Sequence, residues 1–202
     1  MAIPEAPLPA GLLLAAGGSQ RLGQPKQLLR YHGQPLVWRA ARLLLSLGLP
    51  CVSVVTGSSA GAVESALEEL PVQRVRNEAW ASGMGSSISS GVRSLGREPP
   101  GVLILLCDQW RLNADDLWRL LRGWKRDISH IVVSESGGNH GPPVIFPRSL
   151  FRELERLKPE DGAKQVIRRH GEMAHPIRVE NAAFDLDTPA DLEALRAREE
   201  SN

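Results

Sequence analysis

From Gly11 onward the chain alternates short runs of consecutive apolar residues with longer amphipathic stretches. The runs GLLLAA, CVSVVTG and GVLILLC read as strands, and QRVRN as a shorter one. PLVWRAARLLLSLG, AGAVESALEEL and NADDLWRLLRGWKRD place their apolar residues at helical spacing, and GMGSSISSGVRSL fits a helix that begins on small residues. A strand that is apolar at every position is buried on both faces. Such strands, each followed by a helix, predict a mainly parallel sheet covered on both sides: an α/β, three-layer, Rossmann-like architecture.

The last third is less regular. HIVVSES and PPVIFP read as strands flanking the polar turn GGNHG, then SLFRELERL and GAKQVIRRHG as helices and HPIRVEN as a final strand. FDLDTPADLEALRAREE closes the chain with a helix that Thr188 or Asp187 would cap, Pro189 lying in its first turn. Residues 1–10 contain three prolines and no periodicity, so they are expected to form a flexible leader before one domain spanning 11–202.

Charge narrows the partners. Lys and Arg number 24 against 23 Asp and Glu, a net charge of +1, with no run of like charges. This argues against a nucleic-acid-binding face or a polybasic membrane patch and favours a small-molecule partner. The N-terminus lacks a positive segment, and no apolar stretch approaches the ~18 residues of a membrane span. Cys51 and Cys107 have no companion at zinc-ligand spacing and are expected to be buried free thiols, which points to the cytoplasm.

The candidate chemistry starts where the first strand ends. Ala15, Ala16, Gly17, Gly18 and Ser19 are small enough for backbone N–H groups to approach an anion closely. Arg21 and Lys26 follow at short range, where they would hold positive charge over a polyphosphate. The segment is neither the Walker loop nor G-x-G-x-x-G, and a tight turn with two solvated cations accounts for it equally well on composition.

The stretch AAGGSQRLGQPKQLL nevertheless resembles the nucleotidyltransferase signature L-A-A-G-x-S-x-R-x-G-x-x-K. Within the MobA-like superfamily the chain most resembles the molybdenum cofactor cytidylyltransferases, through five blocks in the expected order between Leu12 and about Leu195. In NEAWASGMGSSISSGV, Asn77, Gly83, Met84, Ser86 and Ser87 match a stretch that lies beside the nucleotide base in that family, with Glu78 where a proline is usual. The apolar strand GVLILLC delivers Asp108 to a strand end, a position suited to Mg2+ and equally to helix capping. There the family has C-D-Q-P and this chain CDQW, so Trp110 puts the local turn or the acceptor pocket in doubt. GNHGPPVIF matches G-H-P-V-x-F at Gly141, Pro143, Val144 and Phe146. His140 stands two positions before the matching site and is open to either a substrate contact or an exposed turn. FDLDTPADL matches D-I-D-T-P-x-D-L; in an extended segment Asp185 and Asp187 point the same way, and Asp187 is the preferred second metal ligand.

The resemblance implies a nucleotidyltransferase (GT-A-like) fold and transfer of CMP from CTP to molybdenum-loaded molybdopterin, with release of pyrophosphate. Lys26, Arg21 and Asp108 would act in catalysis and Asp108 and Asp187 would hold Mg2+. Ala15, Ala16, Gly17, Gly18, Ser19, Lys26, Asn77, Gly83, Met84, Ser86 and Ser87 would contact the nucleotide. The loop reads Ala-Ala-Gly as in the cytidylyl branch, where the guanylyl branch has Ala-Gly-Gly, so CTP is expected over GTP. Another phosphate-bearing acceptor remains open. So does a maturation factor that hands the finished cofactor to a recipient molybdoenzyme with little turnover.

Overall fold

The computed structural model describes residues 6–200. Its strands are β1 (Ala10–Ala15), β2 (Arg30–Tyr31), β3 (Gln34–Pro35), β4 (Val52–Thr56), β5 (Gln73–Arg76), β6 (Gly101–Leu106), β7 (Ile131–Ser136), β8 (Asn139–Pro147) and β9 (Ala174–Arg178). Its helices are α1 (Leu36–Leu45), α2 (Ala60–Ser65), α3 (Met84–Ser94), α4 (Ala114–Arg126), α5 (Phe151–Leu154), α6 (Ala163–Arg169) and α7 (Pro189–Glu200). Seven strands form one sheet in the order β5-β4-β1-β6-β8-β7-β9, and β2 and β3 make a separate hairpin. All sheet neighbours run parallel except those of β8, which is antiparallel to both β6 and β7.

β1 shows why the apolar runs become central strands. Leu13 faces the cluster formed with Val37 and Leu44 of α1 and Leu117, Leu120 and Trp124 of α4. Leu12 and Leu14 face the opposite cluster with Ile88 and Val92 of α3 and Phe151 and Val166 beyond them. Both faces are therefore covered, and each buried Leu contributes about 1.5–3 kcal/mol over its exposed state. No stretch of alternating polarity was available to leave one face wet.

Several expectations are corrected. The leader boundary moves inward: Ala10 already belongs to β1, Pro9 is buried, and the Trp124 indole N–H donates to the Pro7 carbonyl at 3.0 Å. Residues 7–10 are thus tied to α4 by packing and a hydrogen bond, while Met1–Glu5 of the expected leader lie outside the described residues. Cys107 is buried as expected, but Cys51 is exposed at the start of β4. Trp110 packs away from the sheet edge in a third small cluster with Tyr31, Leu36, Leu186 and Leu195, meeting Tyr31 edge to face at 5.2 Å. Its role is to seat α7 and the β2–β3 hairpin. Among the described residues no helix is long and apolar enough to cross a membrane.

Candidate active site

The site follows from strand register. Leu14 of β1 lies opposite Leu106 of β6, and the Cys107 N–H donates to the Leu14 carbonyl at 3.2 Å, so both strands end side by side. The glycine loop leaving β1 and Asp108 leaving β6 must then be neighbours at the carboxyl edge of the sheet, where open α/β sheets place ligands. A second tie brings in the C-terminal segment: Leu186 N–H donates to the Asp108 carbonyl at 3.1 Å, and Gln109 and Asp185 form an isolated antiparallel bridge.

Lys26 stands at the junction. Its ammonium donates to Asp108 Oδ2 and to Asp187 Oδ1, the latter at 2.8 Å, and Arg21 donates to the other Asp187 oxygen at 2.9 Å. Burial alone would lower the Lys26 pKa, but Asp108 and Asp187 more than offset it and hold the amine above the ordinary lysine range. Asp187 feels an upward push from partial burial, which the bonds and charges of Lys26 and Arg21 outweigh, so it lies below the usual carboxylate range. Asp185 has no such cation against it. Burial first, then repulsion from Asp108 and Asp187, pushes its pKa up to about 6. Cys107, directly beneath, is held up by burial and is a poor thiolate.

Asp187 is free for this cluster because another residue caps α7. The Thr188 hydroxyl accepts from Asp191 N–H at 3.3 Å, and the Asp191 carboxylate accepts from the N–H groups of Asp187 and Thr188. Of the two capping candidates in the sequence, the structure selects Thr188.

The glycine loop is braced from behind by a residue the sequence reading passed over. Gln27, buried at 1% exposure, donates through Nε2 to the Ala15 carbonyl at 3.1 Å and the Gly17 carbonyl at 2.6 Å. Ser19 sits at φ 50°, and its hydroxyl accepts from Lys26 N–H at 3.0 Å. These bonds take up carbonyls and the serine hydroxyl. The Trp80 indole packs against Gly18 and Gly57, where a Cβ on either would come within 2.9 and 2.5 Å of it.

Asn77, Ser86 and Ser87 form an internal hub. Asn77 Nδ2 donates to both serine hydroxyls at 2.9 and 3.0 Å, its Oδ1 accepts from Ala79 N–H, and Ser86 donates to the Gly83 carbonyl. Asn77 and Ser86 lie outside the cavities, whereas Ser87 lines one of them. Gly83, at φ 134°, and Gly85 are demanded by the crossing loop at Lys158–Asp161, since a Cβ at Gly85 would lie 1.9 Å from the Lys158 carbonyl oxygen.

Three cavities meet at Lys26. One of about 340 Å3 lies between Gly17, Gly18, Trp80, Met84 and Ser87. A second of about 280 Å3 runs over Gly17–Leu22 to Asp187. The third, about 850 Å3, extends from Lys26, Asp108 and Asp185 toward His140 on the β7–β8 hairpin and Lys164 on α6. His140 is thus both exposed and in the cleft. Gln109 fixes two walls of this cavity by donating to the carbonyls of Pro142 at 2.8 Å and Ala182 at 3.1 Å.

Among the described residues no group of three or more His, Cys, Asp or Glu is arranged as a metal cage. The donor set instead suits a hard divalent cation that keeps most of its waters. Asp108 Oδ1 is buried without a hydrogen-bond partner, and Asp187 shares the same ammonium with Asp108. Such an orphaned carboxylate oxygen is costly unless a cation or a donor meets it.

A glycine loop with a lysine at one strand end and an aspartate at the next suits a nucleoside triphosphate, and the family match makes the chain a nucleotidyltransferase. The chain belongs to the MobA-like NTP transferase domain family, whose model matches residues 11–174. It is 30% identical over 209 residues to purine catabolism protein PucB of Bacillus subtilis (strain 168), covering 95% of this chain and 98% of that protein. It is 40% identical over 118 residues to nicotine blue oxidoreductase of Paenarthrobacter nicotinovorans, covering 58% of this chain and 57% of that protein. A probable molybdenum cofactor guanylyltransferase of Synechococcus elongatus is 34% identical over 120 residues, 59% of this chain and 58% of that protein. These last two matches span little more than half of the relatives' lengths. The crystal structure of an rv0371c homolog from Mycobacterium sp. strain JC1 superposes with a TM-score of 0.82 at 27% identity, over 95% of this chain and 96% of that one.

Proposed function

We propose that this nucleotidyltransferase transfers CMP from CTP to the phosphate of molybdenum-loaded molybdopterin, releasing pyrophosphate. The observation that carries the reading is Lys26 held between Asp108 and Asp187 at the mouth of the glycine loop. A molybdenum cofactor acceptor is supported by the relative named as a probable guanylyltransferase of that cofactor. CTP over GTP rests on Ala16 in the loop, as in the cytidylyl branch.

In this reading, loop N–H groups of Gly17 and Gly18 and the side chain of Arg21 hold the triphosphate over the 280 Å3 cavity. The base lies in the 340 Å3 cavity beside Trp80, Met84 and Ser87. Gly83 lines the same cavity, and Asn77 and Ser86 act behind it, by holding the start of α3 in place. Asp108 and Asp187 would hold Mg2+, which would supply positive charge against the phosphates. An acceptor phosphate oxygen attacks the α-phosphorus as the bond from that phosphorus to the bridging oxygen breaks, and pyrophosphate departs with the bond electrons. The nucleophile is already anionic, so no general base is required. Lys26 orients the phosphates and offsets charge that grows on the leaving group.

The carrier alternative draws on Trp110 and on Pro142 standing where the family has a histidine; Trp110 packs with Leu186 and Leu195, and Lys26, Asp108 and Asp187 standing together favour turnover. A nicotinamide-linked reading rests on one relative's name and finds no G-x-G-x-x-G after β1. The test is pyrophosphate release by the purified protein with Mg2+, molybdenum-loaded molybdopterin, and CTP or GTP supplied separately. Release with CTP alone is the expected result; release with GTP alone assigns the guanylyl reaction, and silence with both overturns the proposal.

A further inference from the structure

The largest cavity contains more positive charge than the nucleotide cluster uses. Arg21 and Lys26 are committed to Asp187 and Asp108. Lys164, on the opposite wall, is exposed into the cavity, and among the described residues no carboxylate lies within ion-pair distance of it. Its base is rigid, because Ala163, Val166 and Ile167 bury the other face of α6 in the core. Its stem lies beside β8, where a Cβ at Gly141 would meet Lys164 Cε at 3.5 Å, ordinary van der Waals contact. The end of that stem is close enough to the carboxylate cluster for its charge to act on Asp185.

We propose that Lys164 receives the acceptor's phosphate and makes the cleft selective for a phosphomonoester over a neutral hydroxyl acceptor. The inference rests on the transferase reading above and deepens it. An acceptor phosphate must approach a triphosphate across a cluster that already contains Asp108, Asp185 and Asp187. A cation paired with neither nucleotide ligands nor protein carboxylates offsets that repulsion on the acceptor side alone. The ammonium engages a non-attacking oxygen, so it positions the acceptor and takes no part in bond making. Neither hydrophobic periodicity nor the motif blocks mark this residue, since α6 shows only one exposed lysine among several exposed basic residues.

The test compares wild type, Lys164→Met and Lys164→Arg in steady-state kinetics with CTP, Mg2+ and molybdenum-loaded molybdopterin as the acceptor. Lys164→Met is expected to raise the acceptor KM at least tenfold while the CTP KM stays within twofold, and Lys164→Arg to recover most of the loss. An unchanged acceptor KM in Lys164→Met overturns the proposal, as does a parallel rise in both KM values, which marks a merely structural role. If wild type does not turn over this acceptor, the transferase reading has failed, and a second measurement decides Lys164 by itself. Phenyl phosphate and benzyl alcohol are titrated by NMR into the Mg2+-supplied protein. Binding of the phosphate alone, lost in Lys164→Met, upholds the role, and equal binding by both proteins removes it.

Discussion

Lys26 and Asp187 are 161 residues apart in the chain and meet at 2.8 Å, through an ammonium that Asp108 also engages. Carboxylates from the middle and last thirds of the chain are therefore held by one ammonium from the first third.

Replacing Lys26 by Ala removes the charge facing the phosphates and leaves Asp108 and Asp187 to repel each other. Loss of one such preorganised donor costs about 100- to 1000-fold in kcat in comparable sites. Lys26→Ala is expected to lose at least that much pyrophosphate release with its circular dichroism unchanged. Wild-type rates would remove the lysine from the chemistry.

Gln27 is expected to matter through the loop it braces. Gln27→Leu leaves the Ala15 and Gly17 carbonyls without their side-chain donor, a cost of about 1–3 kcal/mol at the buried Ala15 carbonyl and less at the exposed Gly17. Urea unfolding of this variant should show a lower midpoint, and the KM for the nucleotide should rise more than that for the acceptor. A raised acceptor KM alone would contradict the bracing role.

Gly85→Ala drives a methyl group into the Lys158 carbonyl, which is backbone and cannot swing away. Overpacking of this kind costs about 1–3 kcal/mol or more, equivalent to a Tm lowered by about 2–4 °C per kcal/mol in a chain of this size. Scanning calorimetry should find a fall of several degrees. An unchanged Tm would mean that the loop at Lys158–Asp161 yields more readily than its contacts suggest.

Asp185 makes stability depend on pH when no divalent ion is supplied. Its pKa of about 6 lies above the ordinary carboxylate value, so the folded protein binds this proton more tightly than the unfolded chain. The stabilisation is complete below about pH 4 and is lost as pH rises through 6. In chelator, wild type should lose Tm between pH 5 and 7 relative to Asp185→Asn, and added Mg2+ should narrow the gap. Parallel Tm profiles for the two proteins would refute this.

The sheet was legible because β1, β4 and β6 are buried on both faces, a condition that writes itself into the chain as runs of Leu, Ile and Val broken only by small residues. The reversal of β8 was not, because VIFP is buried on both faces whichever way its strand runs. At the site, Lys26, Asp108 and Asp187 stood out as charges at the ends of apolar runs or in recognisable blocks, and the structure draws them together. Gln27 and Lys164 gave no such signal. A buried amide and an exposed lysine acquire their significance from what lies opposite, and opposition across a fold has no period in the sequence. The packing of Trp110 was not legible for the same reason, since its partners Tyr31, Leu36, Leu186 and Leu195 come from the β2–β3 hairpin, α1, the segment before α7 and α7 itself.

Because β7 runs parallel to β6 and β8 returns against it, the tip of their hairpin, turning through Gly137 and Gly138 at φ 55° and 77°, overhangs the same edge as Asp108. The wall beyond the reaction centre is thus a cantilever, anchored in the sheet by Val144, Ile145 and Phe146, flanked by β9 as far as Glu135, and exposed at its tip. Its tip can be lengthened, shortened or recoded without disturbing the glycine loop. On the proposed reading, such a layout puts the handling of the energy-rich donor and the choice of acceptor on separate supports.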